Sequence, residues 1–129
     1  MITVLIAVAC GGGGSSAPSA DLAKNIAELQ TTKSCQGCDL SGADLSNLNL
    51  RNVNLKNAKL TKANLRNADV SNADFTSAIL RNADFRGARI DRAIFAGADL
   101  SAADFRGVDF SKVDTTGADF SNAILNSTP

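Results

Sequence analysis

Residues 73–92 read ADFTS AILRN ADFRG ARIDR, four units of five residues. Alanine opens each unit, the third position is Phe, Leu or Ile, and the fourth and fifth are polar or small. Outward from this stretch the same spacing runs without insertion from Cys38 to Ser127, eighteen units in all. Slot one holds Ala thirteen times, Val three times, and Leu48 and Cys38 once each. Slot three holds Leu nine times and Phe six times, with Val70, Ile90 and Thr115 as the remainder. Slot two takes ten of the twelve aspartates.

The spacing has a physical reading. Slots one and three are two residues apart, so in extended chain both point the same way, and both are apolar. Five is odd, so unbroken extension would turn the apolar side outward at every second unit. A turn must correct the direction each time. Slot five is Gly five times and Asn seven times, and these residues tolerate the positive φ that the third residue of a type II turn requires. A chain that turns after each short stretch and keeps one side inward winds into a coil.

These units, CDLSG ADLSN LNLRN onward, resemble the pentapeptide-repeat family with its A(D/N)LXX consensus. The resemblance covers residues 38–127 and implies an all-β fold, a right-handed quadrilateral β-helix with four units per coil, here about four and a half coils. With coils one strand spacing apart the tower is about 20 Å tall. Four sides place Leu40, Leu60, Leu80, Leu100 and Phe120 in one interior column. Leu45, Leu65, Phe85, Phe105 and Leu125 form the next. Leu50, Val70, Ile90 and Phe110 make a third, and Leu55, Phe75, Phe95 and Thr115 the fourth. Such an interior is filled by side chains and leaves no groove for a small ligand. The expected domain plan is an apolar segment at 1–9, a Gly/Ser tether at 10–18, a capping helix and lead-in at 19–34, and the β-helix at 35–129.

The N-terminal segments carry their own signals. MITVLIAVA has no charged side chain and is too short to cross a bilayer as a helix. It suits the apolar region of a secretory signal. Cys10 and the Gly/Ser tether after it resemble a bacterial lipoprotein signal, which implies lipidation of Cys10 and display at the cell envelope. The plain alternative is an uncleaved leader with an incidental cysteine, which would leave the chain cytoplasmic. In residues 19–33, Leu22, Ile26 and Leu29 form one stripe of a short helix, capped by Ser19 and favoured by Asp21 near its positive end. Such a helix is marginal alone in water and needs an apolar end to cover.

Cys35 and Cys38 form a C-x-x-C that backward extension of the repeat places in slots three and one of a corner, with Gly37 at the positive-φ position. The ends of such a turn lie close enough for a disulfide, and buried thiols fit as well. A zinc site is not expected, since no second Cys/His pair exists. Many members of the resembled family carry a similar CxxCDLSGADL stretch, which implies a capping element.

The outer slots present Arg66, Arg86 and Arg106 in one stack beside Asp84 and Asp104. The preferred reading is a self-compensating ladder of ion pairs; the sharper one is a stripe for phosphate or carboxylate groups. Ile79 and Ile94 stand in slot two, where Asp is usual, as a contact patch or as scattered apolar surface. Charge is uneven although 13 Lys+Arg balance 13 Asp+Glu overall. Residues 51–92 hold nine basic and four acidic groups, net +5, and residues 99–129 two basic and five acidic, net −3.

Three classes of function follow. With no His, one Glu and no convergent polar cluster, no catalysis, cofactor or metal is expected. The favoured reading is a non-catalytic scaffold or protein-interaction module, held at a membrane by its N-terminal lipid and bound to a protein partner. The alternative is a cytoplasmic DNA mimic that binds a type II topoisomerase (gyrase), as fluoroquinolone-resistance members of the family do. The zero net charge, basic middle and short tower weigh against it, and no nucleic-acid partner is expected. An open coil offers unpaired edges, so the C-terminal coil with Phe110, Phe120 and Leu125 is expected to form a homodimer.

Overall fold

The structure, a computed structural model, describes residues 20–126. Helix α1 spans Ala20–Thr32, with Asp21 in its first turn. Its buried residues are Ile26 and Leu29, two of the three expected stripe positions, while Leu22 is half-buried against the same core. The helix stops at Lys33, whose φ is 62°. The Lys33 amide donates to the Leu29 carbonyl at 2.9 Å, closing the last turn.

From Ser34 onward every rung is an isolated parallel bridge between residues twenty apart. One side runs Ser34–Asn54–Asp74–Ile94–Asp114, the next Asp39–Lys59–Ile79–Asp99–Asp119, the third Asp44–Asn64–Asp84–Asp104–Ile124, and the fourth Asn49–Asp69–Arg89. Twenty residues are four units of five, so the coil has the four sides that the resemblance implies. Each unit gives both edges to its neighbours. The Leu60 amide donates to the Ile79 carbonyl above at 2.7 Å, and the Lys59 amide to the Cys38 carbonyl below at 2.8 Å. Pairing of this kind satisfies backbone groups that would otherwise be buried and unpartnered.

The corners are turns over slots three, four, five and one. The slot-one amide returns to the slot-three carbonyl, as from Ala63 to Leu60 at 3.0 Å. The slot-five residue takes positive φ at nearly every corner, whether it is Gly87 (70°), Asn67 (58°) or Arg92 (62°). Lys112 is the exception among the described corners. On the same side, Asp109 makes no bridge to Arg89. The coil therefore loosens at one side of its last described turn.

The core is a column of slot-three side chains ringed by slot-one alanines. Leu40 to Leu100 and Phe75, Phe85, Phe95 and Phe105 are fully buried. Each such side chain contributes about 1.5–3 kcal/mol relative to exposure. Phe rings continue the stack: Phe85 and Phe105 lie 4.7 Å apart with planes 13° from parallel, and Phe85 meets Phe95 edge-on at 5.8 Å. At the base, Ile26 and Leu29 of α1 seal the column. At the other end Phe110, Thr115 and Phe120 are half-buried and Leu125, placed by its slot in an interior column, is 46% exposed. Leu125 departs from the interior expectation because, among the described residues, none stacks on its outer side.

Candidate interaction surfaces

Slot-two carboxylates and amides are tied to the corners that follow them. Asp39 accepts from the Ser41 amide at 3.0 Å, Asp74 from Thr76 at 3.0 Å and Asp119 from Ser121 at 2.9 Å. At Ser46, Ser71, Thr76, Ser101, Thr116 and Ser121 the hydroxyl adds a second bond to the same oxygen, 2.6 Å for Ser71 to Asp69. These are Asx turns that brace the corner. Their signal, Asp or Asn two before Ser or Thr, is plain in DLS, DFT and DFS, yet the enrichment of Asp in slot two is easily read as surface charge alone.

Electrostatics follow from these bonds. The Arg86 side chain, hydrogen-bonded to Asp84, holds that carboxyl below its ordinary range against the opposing effect of burial. The Arg106 side chain does the same for Asp104. At Asp39 and Asp109 the backbone bond from the following serine is the leading cause of a lowered carboxyl. For Asp69, Asp74 and Asp99 burial is the largest single influence and acts upward. The side-chain and backbone bonds from slot four, with nearby cations, outweigh it and leave these carboxyls lowered.

The arginine stack is a ladder of ion pairs. Arg86 lies 2.6 Å from Asp84 and 3.7 Å from Asp104, Arg106 2.6 Å from Asp104, and Arg66 4.0 Å from Asp84. The side chains are 39–56% exposed, so solvent screens each pair and its contribution to stability is small. Elsewhere Arg51 reaches Asp69, Lys56 reaches Asp74 and Arg81 reaches Asp99, in each case one coil further on. The self-compensating reading of these cations is the one the distances support. In sequence, residues 45–68 hold Arg51, Lys56, Lys59, Lys62 and Arg66 and no acidic residue, and three of these cations pair with aspartates one coil further on.

Ile79 is 36% exposed, between Lys59 and Asp99 on its side of the coil. Ile94, on the neighbouring side, is only half-buried rather than exposed. The two therefore form scattered apolar surface more than a continuous patch.

The C-terminal end also exposes apolar side chains. Ile124 and Leu125 are 47% and 46% exposed. Phe105, Phe110 and Phe120 meet in tilted and edge-on contacts of 5.0–6.0 Å. Beside them lies an open hollow of about 510 Å³, lined by Gly107, Val108, Asp109, Phe110, Leu125 and Asn126. A filled tower without any groove was the expectation; the hollow arises where the last turn loosens at Asp109. Asn126 closes one edge of it. Its side-chain oxygen accepts from the Gly107 amide and its nitrogen donates to the Val108 carbonyl, both at 2.6 Å. The side chain thus takes the place of the backbone of a further rung. In sequence Asn126 is only another slot-four polar residue.

At the base, Cys35 and Cys38 are joined by a disulfide across the first corner, with α carbons 5.3 Å apart. The Cys38 amide donates to the Cys35 carbonyl at 3.1 Å and Gly37 has φ 71°. Glu28 of α1 brings a carboxylate to within 4.8 Å of both sulfurs. Helix packing alone makes that approach, which the spacing of the cysteines does not reveal. Cys10 and Ser19, with the apolar segment and tether, lie outside the described residues. No helix among the described residues is long and apolar enough to cross a membrane.

Comparison with known proteins places this architecture. The family model described as a pentapeptide repeat region matches residues 31–105, and that of pentapeptide repeats in eight copies matches residues 103–128. The chain belongs to the pentapeptide-repeat family, whose members form right-handed β-helices. Among solved structures it is similar to Rfr23, a pentapeptide repeat protein of the cyanobacterium Cyanothece 51142. That match has 22% identity and a TM-score of 0.71, over 80% of this chain and 98% of the other. It is also similar to a pentapeptide repeat protein of the Arabidopsis thaliana thylakoid lumen. There the identity is 26% and the TM-score 0.71, over 92% of this chain and 76% of that one. No curated protein sequence matches the chain significantly.

Proposed function

We propose that the chain is a non-catalytic binding module, displayed at a bacterial membrane by lipid on Cys10, whose C-terminal coil docks a second copy of itself. The observation that carries the reading is the contrast between the two ends. The base is sealed by Ile26 and Leu29 and closed by a disulfide, while the far end leaves Ile124, Leu125 and the edges of Phe110 and Phe120 open. An unpaired coil edge with an apolar rim favours a partner of the same shape, because each copy then completes the other's ladder. The sides of the tower remain free for a protein partner. The excess of cations over residues 51–92, net +5, is the reverse of the anionic surface that a DNA mimic needs.

Sedimentation of the chain over a range of concentrations tests the docking. A concentration-dependent dimer is expected, and Leu125→Asp, at a position 46% exposed, should leave a monomer whose far-ultraviolet circular dichroism is that of the parent chain. A monomer at every concentration overturns it. Incorporation of labelled palmitate that is lost in Cys10→Ala tests the anchor.

A further inference from the structure

The base of the tower brings a carboxylate to the disulfide that closes it. The Cys35 and Cys38 sulfurs and the Glu28 carboxylate lie mutually within 4.8 Å. They come from two elements held together by packing, since α1 lies on the column through Ile26 and Leu29. We infer that, once the disulfide is reduced, this corner binds a thiophilic divalent cation, with zinc as the fitting ion.

Zinc takes thiolate and carboxylate donors at about 2.0–2.3 Å in a tetrahedral set. Two cysteines separated by two residues around a Gly corner are a common half of such a set, because the turn keeps both sulfurs on one side. On reduction the two bonded sulfurs would separate to the ~3.8 Å of two thiolates on one tetrahedral zinc, while the Glu28 carboxylate, within 4.8 Å of both, closes the third position. Cys35 is buried beneath the helix, whereas Cys38 is half-buried and Glu28 exposed. The fourth position therefore faces solvent and takes a water. The soft sulfur pair selects zinc over magnesium or calcium, which prefer oxygen alone.

The chemistry balances without a partner protein. A dithiol reductant gives two electrons and two protons to the Cys35–Cys38 bond, leaving two thiols and its own disulfide. The ion then displaces the two thiol protons to solvent as the sulfurs bind as thiolates. In the oxidised chain both sulfurs are engaged with each other and the ion has no site.

The test uses the full chain carrying Cys10→Ser, so that only the sulfurs at the base can bind. A tertiary phosphine reduces it under exclusion of air, taking its oxygen from water and competing little for zinc. Zinc uptake is followed by calorimetry, cobalt as a substitute by its thiolate charge-transfer absorption, and the fold by far-ultraviolet circular dichroism. The expected result is one zinc per reduced chain and none per oxidised chain. The cobalt band should be lost in Cys38→Ser, and affinity should be about tenfold or more weaker in Glu28→Gln. Glu28 is exposed, so that variant folds and isolates the carboxylate. A folded, reduced chain that takes up no zinc overturns the inference. So does affinity unchanged by Glu28→Gln, or loss of the β-helix signal on reduction, because the site needs the helix over an intact corner.

Discussion

Phe75 and Phe95 stack face to face one coil apart, with ring centroids at 4.9 Å and planes 5° from parallel. Phe85 meets both edge-on, at 6.1 and 5.8 Å. Two interior columns on opposite sides of the coil therefore interlock through one aromatic cluster, and a ring removed from its middle leaves a void that rigid backbone on four sides cannot close. Phe95→Ala is expected to cost about 3–5 kcal/mol, and Phe95→Leu under about 1.5 kcal/mol because Leu already occupies this slot elsewhere. Arg66→Ala, on the outer ladder, should stay within about 0.5 kcal/mol. Urea unfolding of the three variants checks the order.

Corners provide a reciprocal pair. Ala102 sits in slot five with φ 59°, a conformation that costs a residue with a Cβ about 1–2 kcal/mol. Ala102→Gly removes that strain but adds freedom to the unfolded chain, so a net gain of a few tenths to about 1 kcal/mol is expected. Gly42 has φ 73° and open space where a Cβ would stand. Gly42→Ala should therefore lose stability from backbone strain alone, by a similar amount. Thermal unfolding of both variants reads the two signs directly.

The coil was legible in the sequence because its cause is periodic. An odd period with two apolar slots two apart admits few shapes other than a turning coil, and Gly or Asn in slot five marks where it turns. The number of sides came from family resemblance, and the bridges between residues twenty apart agree with it. The ends were less legible because they rest on single residues. Nothing in the repeat says that Asn126 folds back as a clamp on Gly107 and Val108, or that Lys112 leaves the corner conformation shared by Lys62. Glu28 near the sulfurs depends on how α1 lies across the base, a tertiary contact with no spacing to announce it. The half-buried state of Ile94 likewise depends on its neighbours above and below, not on its slot.

Acid should weaken the tower. Asp69, Asp74, Asp84, Asp99 and Asp104 have carboxyls held below their ordinary value in the folded chain. The unfolded chain therefore binds more protons than the folded one as pH falls toward and below about 4. Stability that is fully present above that value is then lost progressively as pH drops through the lowered folded values. Melting temperature should be flat between about pH 5 and 7 and fall below about pH 4. Much of the effect should survive high salt, because hydrogen bonds from slot four are screened less than exposed ion pairs.

Asp74 separates the corner brace from the ion pair. Its Oδ1 accepts from the Thr76 amide at 3.0 Å and the Thr76 hydroxyl at 2.5 Å, while its Oδ2 lies 3.6 Å from the Lys56 ammonium. Asp74→Asn keeps an acceptor for both Thr76 groups and gives up the charge, so it should cost under about 0.5 kcal/mol at neutral pH. Asp74→Ala removes the acceptor and leaves a half-buried amide and hydroxyl without it, at about 1–2 kcal/mol. The family consensus allows Asp or Asn in slot two, as at Asn54 and Asn64 here, where the side-chain oxygen bonds the Lys56 and Arg66 amides in the same way. Equal losses in the two Asp74 variants would make charge the reason for the residue. A larger loss for Ala, with a weaker acid dependence for Asn, would make it the corner. The corner is the expected result, because the same bond recurs at Asp114, where Thr116 supplies both donors and no cation among the described residues forms an ion pair with it.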